Sequence, residues 1–209
     1  LTSEIFFFSA HLMKDIDSQY ENKNRIATFS IADEIETLQN LPVWKDYQKA
    51  LKDILQIQEV SLLSVGKTST GVATNHAFFV RNNMGTTLHE FSDGTVLIIA
   101  LITKLFSDAS DIFFLEEPEN SIHPRALSEL MKLIRAKSLD KQFIITTHSP
   151  YLLNMIKPEE VYVASINKEG KSEIGKLPNV KAIKKKLAKD FMNVGDIIFS
   201  EPDTDEDSE

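Results

Sequence analysis

The feature that most constrains the fold of this chain is a short apolar strand that ends abruptly in two carboxylates. Residues 112–115 are Ile-Phe-Phe-Leu, and Glu116, Glu117 and Pro118 follow at once. Apolar residues without alternation predict a strand buried on both faces, as in the middle of a parallel sheet. Because buried charge is costly, we expect the two acids at the mouth of a site, and open parallel sheets bind ligands beyond the carboxyl ends of their strands.

Two carboxylates at such a strand end suit one kind of chemistry above others. The first is suited to hold a hydrated Mg²⁺, and the second to orient and deprotonate a water molecule. The alternative is a surface strand that ends in acidic residues without a functional role. The strand by itself does not distinguish between these two interpretations. The segments around it favour the first interpretation.

The composition is that of an ordinary globular protein and disfavours several classes. Of the 209 residues, 42% are hydrophobic and 26% are charged, and there is no cysteine. The lack of cysteine argues against a disulfide scaffold or a thiolate metal site and fits a cytoplasmic protein. No apolar run reaches the ~20 residues that cross a bilayer, so we expect no membrane partner. A net charge of −8 disfavours a surface that coats DNA non-specifically.

The first part of the chain predicts a helical region and a hairpin. Residues 5–9 are expected to form a short strand, followed by polar helical sequence up to residue 40. Apolar residues at helical spacing predict a helix over 43–55. Two β-like runs, 57–65 and 75–81, flank a turn-rich segment and predict an antiparallel hairpin.

From residue 95 onwards, apolar strands alternate with amphipathic helices. The predicted helices are 95–106, a second that begins at Pro124, and 149–156; the predicted strands are 112–115, 143–145 and 161–163. This alternation is typical of a parallel α/β sheet. The fold class expected is therefore α/β, with a parallel core sheet flanked by helices and an antiparallel hairpin and helical region on its N-terminal side.

The tail divides by charge. Five lysines cluster on a predicted helix: Lys181, Lys184, Lys185, Lys186 and Lys189. They form either a solvated helix face or a patch for DNA or another partner, and the sequence leaves both open. Residues 201–209 contain six acids and are expected to be disordered.

Four polar segments follow one another in a fixed order. Residues 91–95, Phe-Ser-Asp-Gly-Thr, precede a helix, whose start offers a hydroxyl and free N–H groups to an anion. The carboxylate strand comes next, then the polar loop 118–124, and then Thr-Thr-His-Ser-Pro at 146–150, which places a histidine at the end of the neighbouring strand.

These segments resemble the ATP-binding-cassette ATPases of the RecF, SMC and OLD type, which include the AAA-like domains of many bacterial anti-phage ATPases. Residues 91–95 are similar to the signature motif, 113–117 to Walker B with the catalytic glutamate, and 119–124 to the D-loop. His148 is similar to the switch histidine. The resemblance covers about residues 85–200, and it implies part of a P-loop NTPase fold that uses ATP and Mg²⁺.

The resemblance implies a role for each matching residue. Glu116 would help to hold Mg²⁺ through its water shell, and Glu117 would act as the general base. His148 would donate a hydrogen bond to the γ-phosphate. Ser92 and Gly94 would contact the γ-phosphate of ATP bound to the opposite subunit.

The remaining matches concern the dimer interface. Asp93 stands where transporter cassettes have a glycine, and because a carboxylate repels triphosphate we expect it to turn away and cap the helix. Asn120, Ser121 and His123 would line the interface and couple the two sites. For His123, simple loop structure is an equal alternative.

A phosphate-binding loop, G-x-x-x-x-G-K-[ST], is not evident. Residues 61–68, Ser-Leu-Leu-Ser-Val-Gly-Lys-Thr, come close, but a serine replaces the first glycine and the flanks predict hairpin strands. We therefore expect the chain to be the carboxyl half of a cassette whose Walker A loop lies in an N-terminal half, and to be inactive alone. The expected divisions are 1–84, the helical and hairpin region; 85–200, the lobe with the motifs; and 201–209, the tail.

The resemblance implies an ATP-driven dimerisation switch in prokaryotic anti-phage defence or DNA repair. Its expected partners are a second copy of itself, an effector nuclease and DNA, and its expected location is the cytoplasm. A non-enzymatic scaffold that binds nucleotide or a partner is the main alternative. A transporter subunit is disfavoured, because the signature is Ser-Asp-Gly and the D-loop lacks the transporter form.

Overall fold

The computed structural model describes residues 3–5, 30–67, 73–108, 110–120, 122–189 and 193–200, and it divides into two compact units, 1–146 and 147–209. The first unit contains, in chain order, β1 (Ser3–Ile5), α1 (Ile31–Gln39), α2 (Trp44–Leu55), β2 (Ile57–Lys67), β3 (Ala73–Arg81), β4 (Met84–Thr87), α3 (Asp93–Ser107), β5 (Ile112–Glu116), α4 (Pro124–Lys137) and β6 (Gln142–Thr146). The second contains α5 (Pro150–Leu153), β7 (Tyr162–Ile166), β8 (Ser172–Lys176), α6 (Val180–Lys189) and α7 (Val194–Ser200). In the part of the chain that is described, no helix is long and apolar enough to cross a membrane.

The carboxylate strand lies in the middle of a parallel sheet, as predicted. The strand order is β1-β5-β6, and both pairings are parallel. Phe113 is fully buried and stacks on Phe143 of the neighbouring strand, with ring centroids 5.5 Å apart. Of the first predicted strand, 5–9, the structure describes Ile5, which belongs to β1, and residues 6–9 lie outside the described part.

The predicted hairpin is confirmed. Strands β2 and β3 pair antiparallel from Ile57↔Arg81 to Lys67↔Ala73, and β4 joins them on the other side of β3. The turn between β3 and β4 is made by Asn82 and Asn83, whose φ angles are 52° and 61°. Asparagine tolerates this left-handed backbone, which is why the Asn-Asn pair ends β3 at Arg81.

Helix α3 forms the core of the first unit. It is apolar on nearly every face, and its buried residues are Gly94, Val96, Ile98, Ile99, Ala100, Leu101, Ile102, Thr103 and Leu105. Thr103 is the buried polar group, and its Oγ1 donates to the Ile99 carbonyl at 2.7 Å and lies 3.1 Å from the Tyr47 hydroxyl of α2. Since both polar groups are satisfied, the helix is enclosed at little cost.

The connection from α3 to β5 is tied down by charge-assisted hydrogen bonds. Asp108 accepts from the Ser110 N–H at 2.6 Å and from Lys104 Nζ at 3.3 Å. Lys141 Nζ donates to the carbonyls of Asp108 and Ser110, at 2.9 and 2.7 Å. These bonds link the end of α3 to the start of β6 and so fix where β5 enters the sheet.

In the second unit, the pairing of strand β7 differs from the prediction, and strand β8 was not predicted. Residues 161–163 were expected to be the third strand of the parallel alternation, but β7 pairs antiparallel with β8. The turn between them contains Gly170 at φ 77°, and Asn167 Oδ1 accepts from two backbone N–H groups within it. This local turn chemistry favours a hairpin over a crossover. The lysine-rich segment forms helix α6, as predicted, whereas residues 201–209 lie outside the described part.

Asp108 generates a prediction about pH. Its side chain is 9% exposed, and burial alone would raise the pKa of the carboxyl, but the hydrogen bonds from Ser110 and the nearby Lys104 ammonium outweigh burial and leave the pKa below its usual value. A depressed folded pKa gives stability that is present above the unfolded pKa of about 4 and is lost as pH falls through the folded pKa. Asp108→Asn should lower the free energy of unfolding by about 1 kcal/mol at pH 7 and reduce its loss between pH 5 and 2. Urea titrations at several pH values check this, with Asp140→Asn, an exposed acid, as control.

Gly195 generates a prediction about packing in the second unit. A Cβ there would lie 2.6 Å from the Pro150 carbonyl oxygen and 2.7 Å from Pro150 Cα, which are backbone atoms that cannot swing aside. Gly195→Ala should therefore destabilise the packing of α7 on α5 by about 1–3 kcal/mol. Gly175→Ala is the matched control, since a Cβ at Gly175 meets nothing within 4 Å. Equal thermal stability of the two variants would contradict the prediction.

Candidate functional site

The two carboxylates sit where β5 leaves the sheet. Glu116 is the last residue of the strand and pairs with Thr146 of β6, and the N–H of Glu117 donates to the Thr146 carbonyl at 2.9 Å. Glu117 itself has a φ of 40°, in the left-handed region. Such a backbone costs a residue other than glycine about 1–2 kcal/mol, and strain of this kind is found at functional sites.

The loop after the strand holds the Glu117 side chain in place. The Glu117 carbonyl accepts from the Asn120 N–H at 3.0 Å, which closes a turn with Pro118 in its favoured second position. Asn120 Nδ2 also donates to Glu117 Oε2 at 2.7 Å. The structure therefore places Asn120 against the predicted base within one chain. Ser121, the other polar residue predicted for this loop, lies outside the described part.

The predicted signature segment forms the amino end of α3. Ser92 is the N-cap, and its Oγ accepts from the Thr95 N–H at 3.4 Å and lies 2.9 Å from Thr95 Oγ1. Asp93 is the first helical residue and is exposed, so the expectation that Asp93 caps the helix is wrong. A serine one residue earlier takes that place, because the cap must have extended backbone and Ser92 has φ −63° and ψ 155°.

Phe91 fixes this helix end to the hairpin sheet. Its ring lies edge-on to Phe79 of β3, with centroids 5.6 Å apart, and both rings are buried. The contact brings the last residue of β3 near the start of α3.

A cavity of about 340 Å³ collects residues from both predicted motifs. We call it the signature cavity, and its lining residues are Asp53, Ile54, Leu55, Gln56, Arg81, Ser92, Gly94, Thr95, Ile98, His123, Arg125 and Ala126. The structure thus brings Ser92 and Gly94 of the signature segment together with His123 of the D-loop segment. Glu116, Glu117, Asn120 and Asp93 are not among the lining residues.

His123 has a structural role of its own in this cavity. It is the N-cap of α4, and its Nδ1 accepts from the Arg125 N–H at 3.2 Å, while Pro124 occupies the first helical position. Both interpretations given to His123 from sequence are therefore compatible: it terminates the loop, and it faces the same cavity as Ser92.

His148 belongs to the second unit, where it is exposed. It follows the end of β6 by two residues and precedes α5. The segment is ordered by the Thr147 hydroxyl, which accepts from the Ser149 N–H at 2.9 Å, and by Ser149 Oγ, which accepts from the Leu152 N–H at 3.4 Å.

The near match to a phosphate-binding loop is a strand. Residues 61–67 belong to β2 and pair with β3 up to Lys67, so their backbone is extended and does not form the compact loop that surrounds a phosphate. A second near match went unnoticed in the sequence: residues 165–172 read Ser-Ile-Asn-Lys-Glu-Gly-Lys-Ser. It spans the β7–β8 hairpin, and Lys171 there pairs with Glu169 at 2.6 Å.

The two carboxylates suit a Mg²⁺ site in which the ion is bound mainly by the phosphates of a nucleotide. In the described ranges there is no group of three or more histidine or acidic residues that could hold a metal ion. Mg²⁺ in nucleotide-binding sites takes only one or two protein carboxylates together with phosphates and water. The exposed Glu116 at the strand end offers the oxygen ligand that such a site needs.

Sequence reasoning missed the two arginines of the signature cavity. Arg81 ends β3, and Arg125 follows Pro124 in the first turn of α4. A charged residue at the end of a strand, directly before an Asn-Asn turn, was a detectable feature, comparable to the acids that end β5.

The cap of α3 generates a stability prediction. Ser92→Ala should lower the free energy of unfolding by about 1 kcal/mol, because the Thr95 N–H loses its acceptor. Ser92→Gly is the matched comparison and should cost only a few tenths of a kcal/mol, since glycine is tolerated at an N-cap. Equal losses in chemical denaturation would mean that the hydroxyl does not cap this helix.

Comparisons with known proteins agree with this architecture. The profile of a family described as "AAA domain, putative AbiEii toxin, Type IV TA system" matches residues 8–154. The chain is also similar to the Septu protein PtuA of Bacillus mycoides (strain KBAB4), with 32% identity over 114 residues. That match takes in 50% of this chain and 16% of PtuA, so the chain spans only a small part of this curated relative.

Solved structures with the same fold are SMC ATPase heads. One, from work on ATP-driven dimerization and DNA-stimulated activation of SMC ATPases, has a TM-score of 0.54 at 13% identity and covers 76% of this chain and 96% of that chain. Another, the SmcHead bound to the C-winged helix domain of ScpA, has a TM-score of 0.51 at 14% identity and covers 74% and 44%. With a family profile over well more than half of its length, the chain belongs to this AAA domain family, and its fold is that of an SMC head.

Proposed function

We propose that this chain is part of an ATPase that works as an ATP-driven dimerisation switch. ATP joins the heads of two copies, with the signature segment of one copy on the γ-phosphate held by the other. Hydrolysis then releases the pair. The SMC ATPase with the same fold is described as dimerising in an ATP-driven way, and we carry that behaviour over to this chain as a proposal.

One observation carries the proposal. The signature cavity contains Ser92, Gly94 and His123 but neither Glu116 nor Glu117. A triphosphate bound at the amino end of α3 is therefore not in the same cavity as the two carboxylates of that chain, which are the groups proposed to act in its hydrolysis. A second copy that brings its own carboxylates would complete the site, and this supports a dimer with the ATP between the heads.

In the proposed reaction, Glu117 accepts a proton from the attacking water. Asn120 is a positioning residue, because its amide holds Glu117 Oε2 at 2.7 Å and so limits the rotamers of the base. His148 donates to the γ-phosphate. Glu116 would hold Mg²⁺, which supplies neutralising charge to the phosphates when bound.

The proposed setting is prokaryotic anti-phage defence or DNA repair, in the cytoplasm, together with an effector nuclease. The family description, which names a toxin of a type IV toxin–antitoxin system, and the similarity to a Septu protein support the first of these. DNA is a proposed ligand of the whole assembly, and the Lys181–Lys189 face of α6 is the proposed contact.

A non-enzymatic scaffold is the second candidate, and one observation favours it. Neither near match in the described ranges forms a phosphate-binding loop: residues 61–67 lie in strand β2, and residues 165–172 span the β7–β8 hairpin. Under the main proposal the chain alone hydrolyses no ATP in the presence of Mg²⁺, whereas the full-length protein does. A full-length protein that binds ATP without turning it over would favour the scaffold.

The role of Glu117 is tested in the full-length protein. Glu117→Gln should lower the rate of ATP hydrolysis at least 100-fold, because the amide cannot accept the proton, and should stabilise the ATP-bound dimer. Phosphate release and sedimentation velocity measure the two effects. Glu129→Gln is the control, since Glu129 is a partly exposed acid of α4 that forms an ion pair with Lys132. Unchanged turnover in Glu117→Gln would rule out Glu117 as the base.

A further inference from the structure

We propose that Arg81 is a second phosphate-binding residue of the signature cavity, and that it contacts the triphosphate of a nucleotide held by a second copy of the chain. The inference rests on the proposed dimer and adds to it a residue from outside the motifs. Its basis is the position of Arg81, the state of its guanidinium and the charge balance of the cavity.

The backbone of Arg81 is held firmly. It is the last residue of β3 and pairs with Ile57 on one side and with Met84 on the other. The next residue, Asn82, donates its N–H to Gln58 Oε1 at 3.1 Å. A side chain anchored in the middle strand of a sheet is presented to the cavity with little loss of backbone entropy on binding.

The Arg81 side chain lines the cavity and is partly buried, and in the described ranges no carboxylate pairs with it. Its Nε is shielded from solvent and makes no hydrogen bond, which is unfavourable for the N–H of a charged group. A guanidinium without a paired carboxylate is available to an anion in the cavity that it lines, and its planar fork matches two oxygens of one phosphate.

The other charges of the signature cavity also favour an anion. Arg125 lines it as well, and the amino end of the 15-residue helix α3 adds partial positive charge at Ser92 and Gly94. Asp53 is the one acid among the lining residues, and its Oδ2 lies 2.5 Å from Lys49 Nζ. The carboxyl end of α2 also lines the cavity and carries partial negative charge, which the Gln56 N–H offsets in part by donating to the Leu51 and Lys52 carbonyls.

The negative charge of Asp93 gives a reason for an additional positive charge, that of Arg81, at this site. This acid occupies the first position of α3, directly beside the cap. At that position it stabilises the free helix but opposes a phosphate that approaches the same end. Arg81 restores the positive balance, so that the helix end accepts a triphosphate despite the acid.

The inference is tested in the full-length protein that carries Glu117→Gln, where ATP is not consumed. Arg81→Ala should weaken ATP-dependent dimerisation at least tenfold, measured by sedimentation across a concentration series. Arg81→Lys should fall in between, because it keeps the charge but loses the fork. Arg135→Ala, which removes a charge from the exposed last turn of α4, should match the parent.

A second measurement separates binding across the dimer from binding within one copy. A fluorescent ATP analogue is titrated at protein concentrations below those that support dimers, and the affinity of the single copy should change less than twofold in Arg81→Ala. An equal loss of affinity in the single copy would overturn the inference, because Arg81 would then contact its own nucleotide. Thermal melting of Arg81→Lys verifies that the fold is kept.

The outcomes also separate this inference from the proposed function. If Glu117→Gln alone forms an ATP-dependent dimer that Arg81→Ala leaves unchanged, the role of Arg81 is refuted and the switch stands. If Glu117→Gln forms no such dimer, the switch and the role of Arg81 both fall. Weaker dimers with unchanged single-copy affinity support both.

Discussion

Complete enclosure of helix α3 is the constraint on which the first unit depends. Its buried residues lie on nearly every face, α1 and α2 pack against it, and the hydroxyl of its buried Thr103 is satisfied from α2 and from its own backbone. At its amino end, Ser92 and Gly94 line the signature cavity. The helix therefore presents its partly positive end to that cavity.

The two proposed centres of the first unit are built in different ways. The proposed anion-binding end relies on regular structure: a helix start, a strand end and a second helix start that meet around one cavity. The acidic end relies on a departure from regular structure, since Glu117 leaves β5 with left-handed backbone and is held by Thr146 and Asn120. In the proposed dimer the anion-binding end of one copy meets the acidic end of the other copy.

The sequence predicted most of the fold, because periodicity and strand ends are local properties. The helix Trp44–Leu55, the helix start at Pro124 and the strand β5 are confirmed, although only Phe113 and Leu115 of β5 are fully buried and the predicted burial of both faces is wrong. The partner of β7 was misjudged, since a single strand does not reveal whether its neighbour comes from a crossover or a hairpin. The role of Asn120 and the presence of Arg81 in the signature cavity depend on contacts between distant segments, which spacing along the chain does not reveal.

The left-handed backbone at Glu117 limits which residues can replace it as the sequence diverges. Glycine would adopt this conformation without penalty, and β-branched residues would be excluded by sterics. The following proline narrows the choice further, since it restricts the backbone of the residue before it. Glycine would suit this turn better, so the backbone conformation does not explain a glutamate here. In the proposed function its carboxylate does, and replacement of Glu117 would then impair hydrolysis more than folding.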